Sequence, residues 1–430
     1  MASAEVSSEK SPQKLKICAF YIKKKNRNCR VIPCKGSIYC AEHIGPNQDC
    51  LGRKRLPCPL DPKHSCYADK LEKHLKKCNS REMPQPAYFA KNVNSGPELK
   101  GVNKVSIRSV PSSDVLEIIE KVKHIYKDNP VEIVDEVLFH ESLTEESKTP
   151  GYGEPALKHI NQQASIIGQL DRLKWLNDNT IYVEFGAGKG HLAHWTVKSV
   201  PHSKNNSYVT IDRGSIKHKL DMPHIYDSNV DFHRLKIDIK DLKLDEVECI
   251  KNRPRQIVAM SKHLCGVATD LTLQCLVKVG VSVDSNSSGE KDGKQAKVPK
   301  VEESESSNSF VKGAVIALCC HHRCDWNNYC GHKFFTDEGL AAKDFQLMYS
   351  LSSWAICGFA TKEEEGKELA PIKFGNLTNE YKEHIGRMCK RVIDLGRMKY
   401  LQENGFYVTF KRYIDSSVSP ENIMMVIEAR

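Results

Sequence analysis

The chain has no apolar run approaching the ~18 residues a membrane-spanning helix needs. Its opening stretch, Met-Ala-Ser-Ala-Glu-Val-Ser-Ser-Glu-Lys, carries no apolar signal region. Secretion and membrane insertion are therefore not expected, and residence in the nucleus, the cytoplasm or both is. For an intracellular chain a disulfide framework is excluded, so the 17 cysteines need another explanation. Large apolar residues are almost missing from 283–310, where Ser, Lys, Glu, Asp and Gly dominate. That stretch reads as a disordered surface insertion, because it cannot bury enough to offset the cost of ordering.

What is present is unevenly placed. The net charge is +10, yet between Lys14 and Cys78 there are 16 Lys and Arg against 5 Asp and Glu. The whole positive excess sits in one small region, which points to a polyanionic partner. Eight of the cysteines fall between Cys18 and Cys78. Interleaved with histidines, they read as zinc ligands.

The clearest ligand spacing is Cys58-x5-His64-x9-His74-x3-Cys78. His74 and Cys78 are four apart on a helical pattern and so share a face. Two thiolates and two imidazoles close a tetrahedral structural zinc site, with Cys66 a rival to His64. Upstream, Cys18, Cys29, Cys40 and His43 form a second set, in which Cys34 or Cys50 could replace a ligand. Phe20, Tyr21, Lys23, Lys24, Lys25, Arg27 and Arg30 lie among these ligands, a mix suited to phosphate contact and base stacking. The same basic runs could serve nuclear import.

At 430 residues, two or three domains are expected. The reading is a disordered N-terminus at 1–13, a CCCH-type finger at 14–50 and a CHHC-type finger at 55–80. A proline-rich linker follows at 81–112, then an amphipathic helix at 113–140 that could form a short coiled coil or pack on its own domain. From 155 to 430 the chain alternates helices and strands, with strands at 181–185, 207–212, 232–237, 256–261 and 313–319 and a closing antiparallel pair at 406–413 and 422–428. This predicts an α/β domain with a mainly parallel, Rossmann-like sheet, broken by the insertion.

The first strand of that domain runs into Glu184-Phe185-Gly186-Ala187-Gly188-Lys189-Gly190 and then a helical pattern. A dinucleotide loop reads G-x-G-x-x-G and brings a pyrophosphate to the helix N-terminus. Here the third glycine comes one residue early, and Glu184 would repel phosphate while accepting hydrogen bonds from a cationic amino-acid end. Both features favour S-adenosylmethionine (SAM). Asp212, 24 residues beyond Gly188, ends the next strand and can accept from ribose hydroxyls. Asp238 follows the third strand and could contact adenine. Lys262 and His263 follow the fourth strand, and His321 and Arg323 the fifth, where they would line the same crevice. The Cys319, Cys320, His321, His322, Cys324 and Cys330 cluster reads as an active-site wall rather than a third zinc site. Trp326 and Tyr329 could stack on a nucleotide.

The paired fingers, the EFGAGKG loop, the SKHLCG segment and the ALCCHHRCDW segment, in this order, resemble the eukaryotic tRNA 2′-O-methyltransferases that modify nucleotide 4 of the acceptor stem. The resemblance spans roughly 14–430. It implies a Rossmann-like SAM-dependent methyltransferase domain behind a CCCH and a CHHC finger. It implies SAM and two zinc ions as cofactors, and methylation of C4 or A4 in tRNAs for proline, glycine and histidine. By motif match it selects Cys18, Cys29, Cys40 and His43 as the first zinc set and Cys58, His64, His74 and Cys78 as the second. The expected partner is the tRNA acceptor stem, with no obligate protein partner. A ribose hydroxyl needs alignment and a proton acceptor. The Lys-Asp-Lys-Glu tetrad of many ribose methylases cannot be assembled from these spacings, so His263 or His321 is the expected acceptor, with Lys262 or Arg323 orienting. Two competing readings are a zinc-finger RNA- or DNA-binding regulator with an inactive methyltransferase-like domain, and a dinucleotide-dependent oxidoreductase. The glycine spacing disfavours the latter.

Overall fold

A computed structural model of the chain describes residues 17–44, 54–81, 84–97, 107–200, 205–214, 220–252, 255–281, 310–359 and 377–430. The expected disordered N-terminus, Cys50 and all of the insertion except Phe310 lie outside the described residues. The chain divides into two compact units, Met1–Gln85 and Pro86–Arg430.

The smaller unit holds two short hairpins. One pairs Tyr21–Ile22 with Arg27–Asn28 across a turn in which Asn26 takes the left-handed conformation. The other pairs Arg55–Cys58 with Asp61–Tyr67 and leads into a five-residue helix, Leu71–Leu75. Arg55 and Ser65 of the second hairpin both bind Glu42 of the first segment, which fastens the halves together.

The larger unit is built on an eight-stranded sheet. Its strands are β1 (Ile133–Asp135), β2 (Thr180–Phe185), β3 (Ser207–Ile211), β4 (Asp231–Leu235), β5 (Gln256–Cys265), β6 (Phe310–Cys319), β7 (Phe406–Arg412) and β8 (Ile423–Ala429). The spatial order is β1-β7-β8-β6-β5-β2-β3-β4. All neighbours pair in parallel except β8, which runs antiparallel to both β6 and β7. The closing pair is as expected; β1, a three-residue edge strand, was not anticipated.

Every residue of β2 is buried, as a central parallel strand covered on both faces requires. Alternation sorts its side chains. Ile181, Val183 and Phe185 join the core against helix α4 (Val267–Val281), whereas Tyr182 joins the core on the other face, against α2 (Glu154–Arg172) and α3 (His191–Ser199). A third core is helical. There α1 (Ser112–Asp128) buries Val115, Ile118, Ile119 and Val122 beside Ile385, Cys389, Val392 and Ile393 of α5 (Asn379–Glu403). The helix expected at 113–140 ends at Asp128, because Pro130 stops it and the chain turns into β1, and its apolar stripe is buried within its own unit.

The proline-rich segment expected to be a linker is partly a strap. Phe89 bridges to Leu242, and buried Asn94 donates from Nδ2 to the carbonyls of Ile239 and Leu242, each at 2.7 Å. None of the described helices is long and apolar enough to cross a membrane.

Candidate active site and metal centres

The strand order reverses between β2 and β5, and in open α/β sheets ligands bind at such a switch point, beyond the strands' carboxyl ends. The glycine loop lies there. Gly186, Gly188 and Gly190 all have positive φ (62°, 53° and 81°). At Gly190 a Cβ would lie 1.9 Å from Asp221 Oδ1, so glycine is required there twice over. Asp221 is buried and pairs with Arg234, whose guanidinium also donates to Gly188 O. This ion pair, absent from the sequence reading, braces the loop from below. Nothing in its spacing marks it, since Asp221 lies between elements and Arg234 on a half-exposed strand.

Two cavities flank the loop, and Gly186 lines both. The first, about 500 Å³, is lined by Asp212, Asp238, Ile239, Leu264, Cys265 and Arg323, with Ser95 of the strap at its rim. Asp212 accepts from Gly188 N at 2.8 Å and from Gly214 N at 2.6 Å, which locks the end of β3 to the glycine loop. Asp238 caps the turn after β4 by accepting from Lys240 N at 3.2 Å. Two half-buried carboxylates around an apolar floor fit the hydroxyls and amino group of an adenosine.

The second cavity, about 630 Å³, lies on the α2/α3 face and includes His159, Glu184, Lys189, His191 and Lys262. Glu184 is 4% exposed and accepts from Ala193 N, in the first turn of α3, at 2.9 Å. Burial pushes its carboxyl up to about 8, against the pull of the α3 amides. Lys262 is also buried, and burial brings its ammonium down to about 8. Its Nζ lies 2.9 Å from Nδ1 of His159, which is exposed at the cavity mouth. Partial burial and the Lys262 charge hold His159 below its ordinary value. His159 was missed because one histidine on an amphipathic helix carries no sequence signal.

The other expected catalytic residues part ways. Arg323 is exposed and lines the first cavity. The side chain of His263 lies outside those described. His321 is not on the crevice wall. It is 1% exposed, and Nε2 meets Asp394 Oδ1 at 2.7 Å. Asp394 also pairs with Arg391 and Arg397, and Arg397 in turn with Asp270 at 2.7 Å. Such a buried, multiply paired group is a brace between α4 and α5, unable to reach a substrate. The wall expected at Cys319–Cys330 therefore divides. Cys324 and Cys330 join the same brace, against Arg397 and Asp270, while Cys319 and Cys320 gather with Cys265. Trp326 and Tyr329, expected to stack on a nucleotide, are buried with Phe335 and Phe345 in an aromatic cluster.

In the smaller unit the structure brings Cys18, Cys29, Cys40 and His43 together, and likewise Cys58, His64, His74 and Cys78. Cys58 and Cys78 Sγ are 3.7 Å apart, near the ~3.8 Å edge of a tetrahedron with ~2.3 Å zinc–thiolate bonds. His74 Nε2 is 3.2 Å from Cys58 Sγ, and His43 Nδ1 is 3.3 Å from Cys40 Sγ. Cys34 and Cys66 stand outside both sets. Phe20 stacks on His43 at 3.9 Å and stays 43% exposed.

Residues 161–428 match the family described as Methyltransferase TRM13. The chain belongs to this family. Residues 16–44 match the CCCH zinc finger in TRM13 protein, and 55–79 the U11-48K-like CHHC zinc finger. The TRM13 relatives include a mouse (Mus musculus) protein named "tRNA:m(4)X modification enzyme TRM13 homolog", 37% identical over 95% of this chain and 93% of its own. The human (Homo sapiens) homolog of that name is 35% identical with the same coverage. The Saccharomyces cerevisiae TRM13 is 30% identical over 95% of each chain. TRM13 membership makes the larger unit a methyltransferase domain and the smaller one a zinc-finger unit.

Proposed function

We propose that this chain is a SAM-dependent tRNA methyltransferase that methylates the ribose 2′-hydroxyl of nucleotide 4, cytidine or adenosine, in the acceptor stem of tRNAs such as those for proline, glycine and histidine. The reading is supported by the names of its TRM13 relatives and by one observation above all: a glycine loop at the sheet's switch point with an adenosine-sized, carboxylate-bearing cavity on one side and the Lys262–His159 pair on the other. Asp212, Asp238, Gly186, Gly188 and Gly190 would hold SAM, with Glu184 closing the floor beneath the loop. Bound there, SAM supplies an electrophilic methyl group. The Lys262–His159 pair accepts the hydroxyl proton, since an amine held near pH 8 and a neutral imidazole both suit that task near neutrality. Arg323 orients a phosphate. The finger unit, with its two zinc ions and its excess of basic residues, binds the acceptor stem inside the nucleus, the cytoplasm or both.

Calorimetry with SAM and mass spectrometry of tRNA digests test this reading. We expect Lys262→Met and His159→Ala to retain SAM affinity and to lose about 10²–10⁴-fold in turnover. Full turnover in both variants would remove the pair from the chemistry, and no methylated nucleotide 4 in any tRNA would remove the substrate assignment.

A further inference from the structure

Beside the first cavity, β5 and β6 end in step. Cys265 pairs with Cys319 in parallel register, and their Sγ atoms lie 3.5 Å apart. The next residue, Cys320, takes a left-handed backbone, φ 47°, rare for a side-chain-bearing residue and worth ~1–2 kcal/mol against it. That turn completes a triad: the thiol sulfurs of Cys265, Cys319 and Cys320 all lie within 4.8 Å of one another. All three are free thiols. The 3.5 Å spacing is close to the 3.7 Å between Cys58 and Cys78 in the CHHC finger, and to the ~3.8 Å edge of a tetrahedral zinc–thiolate site.

We propose that Cys265, Cys319 and Cys320 form a third metal site, taking Zn²⁺ through three thiolates. The fourth position is left to water or an exogenous ligand beside the cavity that Cys265 lines. The site would clamp the carboxyl ends of β5 and β6. It would also fix the short turn in which Arg323 N donates to Cys320 O at 2.9 Å, and so the position of Arg323 on the cavity. Nothing in this assignment depends on the identity of the methyl acceptor.

The test uses the full-length protein, loaded with Zn²⁺ and desalted. Metal analysis should find about three zinc ions per chain, two of them in the fingers. Cys265→Ser with Cys320→Ser, both at partly exposed positions, should lose about one and keep two. Unfolding curves confirm that this variant is folded. Co²⁺ substitution gives a second readout that does not depend on activity: the variant should lose the thiolate charge-transfer absorption of three of the eight assigned thiolates. Two zinc ions in both proteins with unchanged Co²⁺ spectra would overturn the site, as would a disulfide joining two of the three cysteines in the freshly purified, metal-loaded protein. Should the double variant fail to fold, Zn²⁺ protection of Cys265 and Cys320 from alkylation in the unmutated chain decides the matter, and equal labelling with and without metal counts against the site.

Discussion

At the residue scale, backbone conformation and burial decide what each position tolerates. Gly190 combines positive φ with a Cβ position occupied by Asp221, whereas Gly188 has positive φ over open space. Gly190→Ala is therefore expected to displace Asp221 and its Arg234 partner and to abolish SAM binding by calorimetry. Gly188→Ala should cost only ~1–2 kcal/mol of stability. Glu184 bears on pH. Its buried carboxyl titrates near 8, above the ordinary 4.5, so the folded chain keeps a proton that the unfolded chain releases. Its contribution to stability is complete below about pH 4.5 and is lost as pH rises through about 8. Glu184→Gln removes that titration, and the decline in melting temperature between roughly pH 5 and pH 8 should flatten. An unchanged slope would mean that the carboxylate is already ionised in the folded chain.

At the element scale, the strap and the bulge matter most. Asn94 satisfies two buried carbonyls in the turn after β4, next to the rim residue Ser95. Asn94→Ala strands both acceptors and should lower stability by about 1–3 kcal/mol. It should also weaken SAM binding, which urea titration and calorimetry would measure separately. No periodicity announces the strap, because its hydrogen bonds run from a prolyl-rich segment to residues about 150 positions away. On β5, the three-residue step from Ser261 to Leu264 faces the two-residue step from Ile316 to Leu318, so β5 carries one extra residue there. Lys262 keeps the α2 face of Val258 and Met260, and the extra residue turns Leu264 to the α4 face. Regular alternation would have put Leu264 on the same face as Lys262.

At the scale of the whole molecule, the basic excess and the zinc fingers fall in the smaller unit and the methyltransferase domain in the larger. Cys58→Ser with Cys78→Ser should remove one zinc ion and weaken tRNA binding in a salt-dependent way, while SAM affinity in the larger unit stays unchanged. Filter binding across a salt series and metal analysis would check this, and undiminished tRNA affinity would assign recognition to the larger unit. Much of this plan was legible in the residues. Ligand spacings, the early third glycine and the alternation of strands and helices are local signals, each read from a short window.

What the sequence determined by itself is this local layer: two sets of cysteine and histidine, a glycine-rich loop between a strand and a helix, and strands apolar enough to be central. Which side chains meet was decided by tertiary structure. His321 and Lys262 both follow β-branched runs, yet one is locked against Asp394 and the other opens onto a cavity. The difference arises from strand phase and the docking of α5, both fixed by contacts between residues far apart in the chain. A histidine on α2 could join the site only once that helix packed over the end of β5.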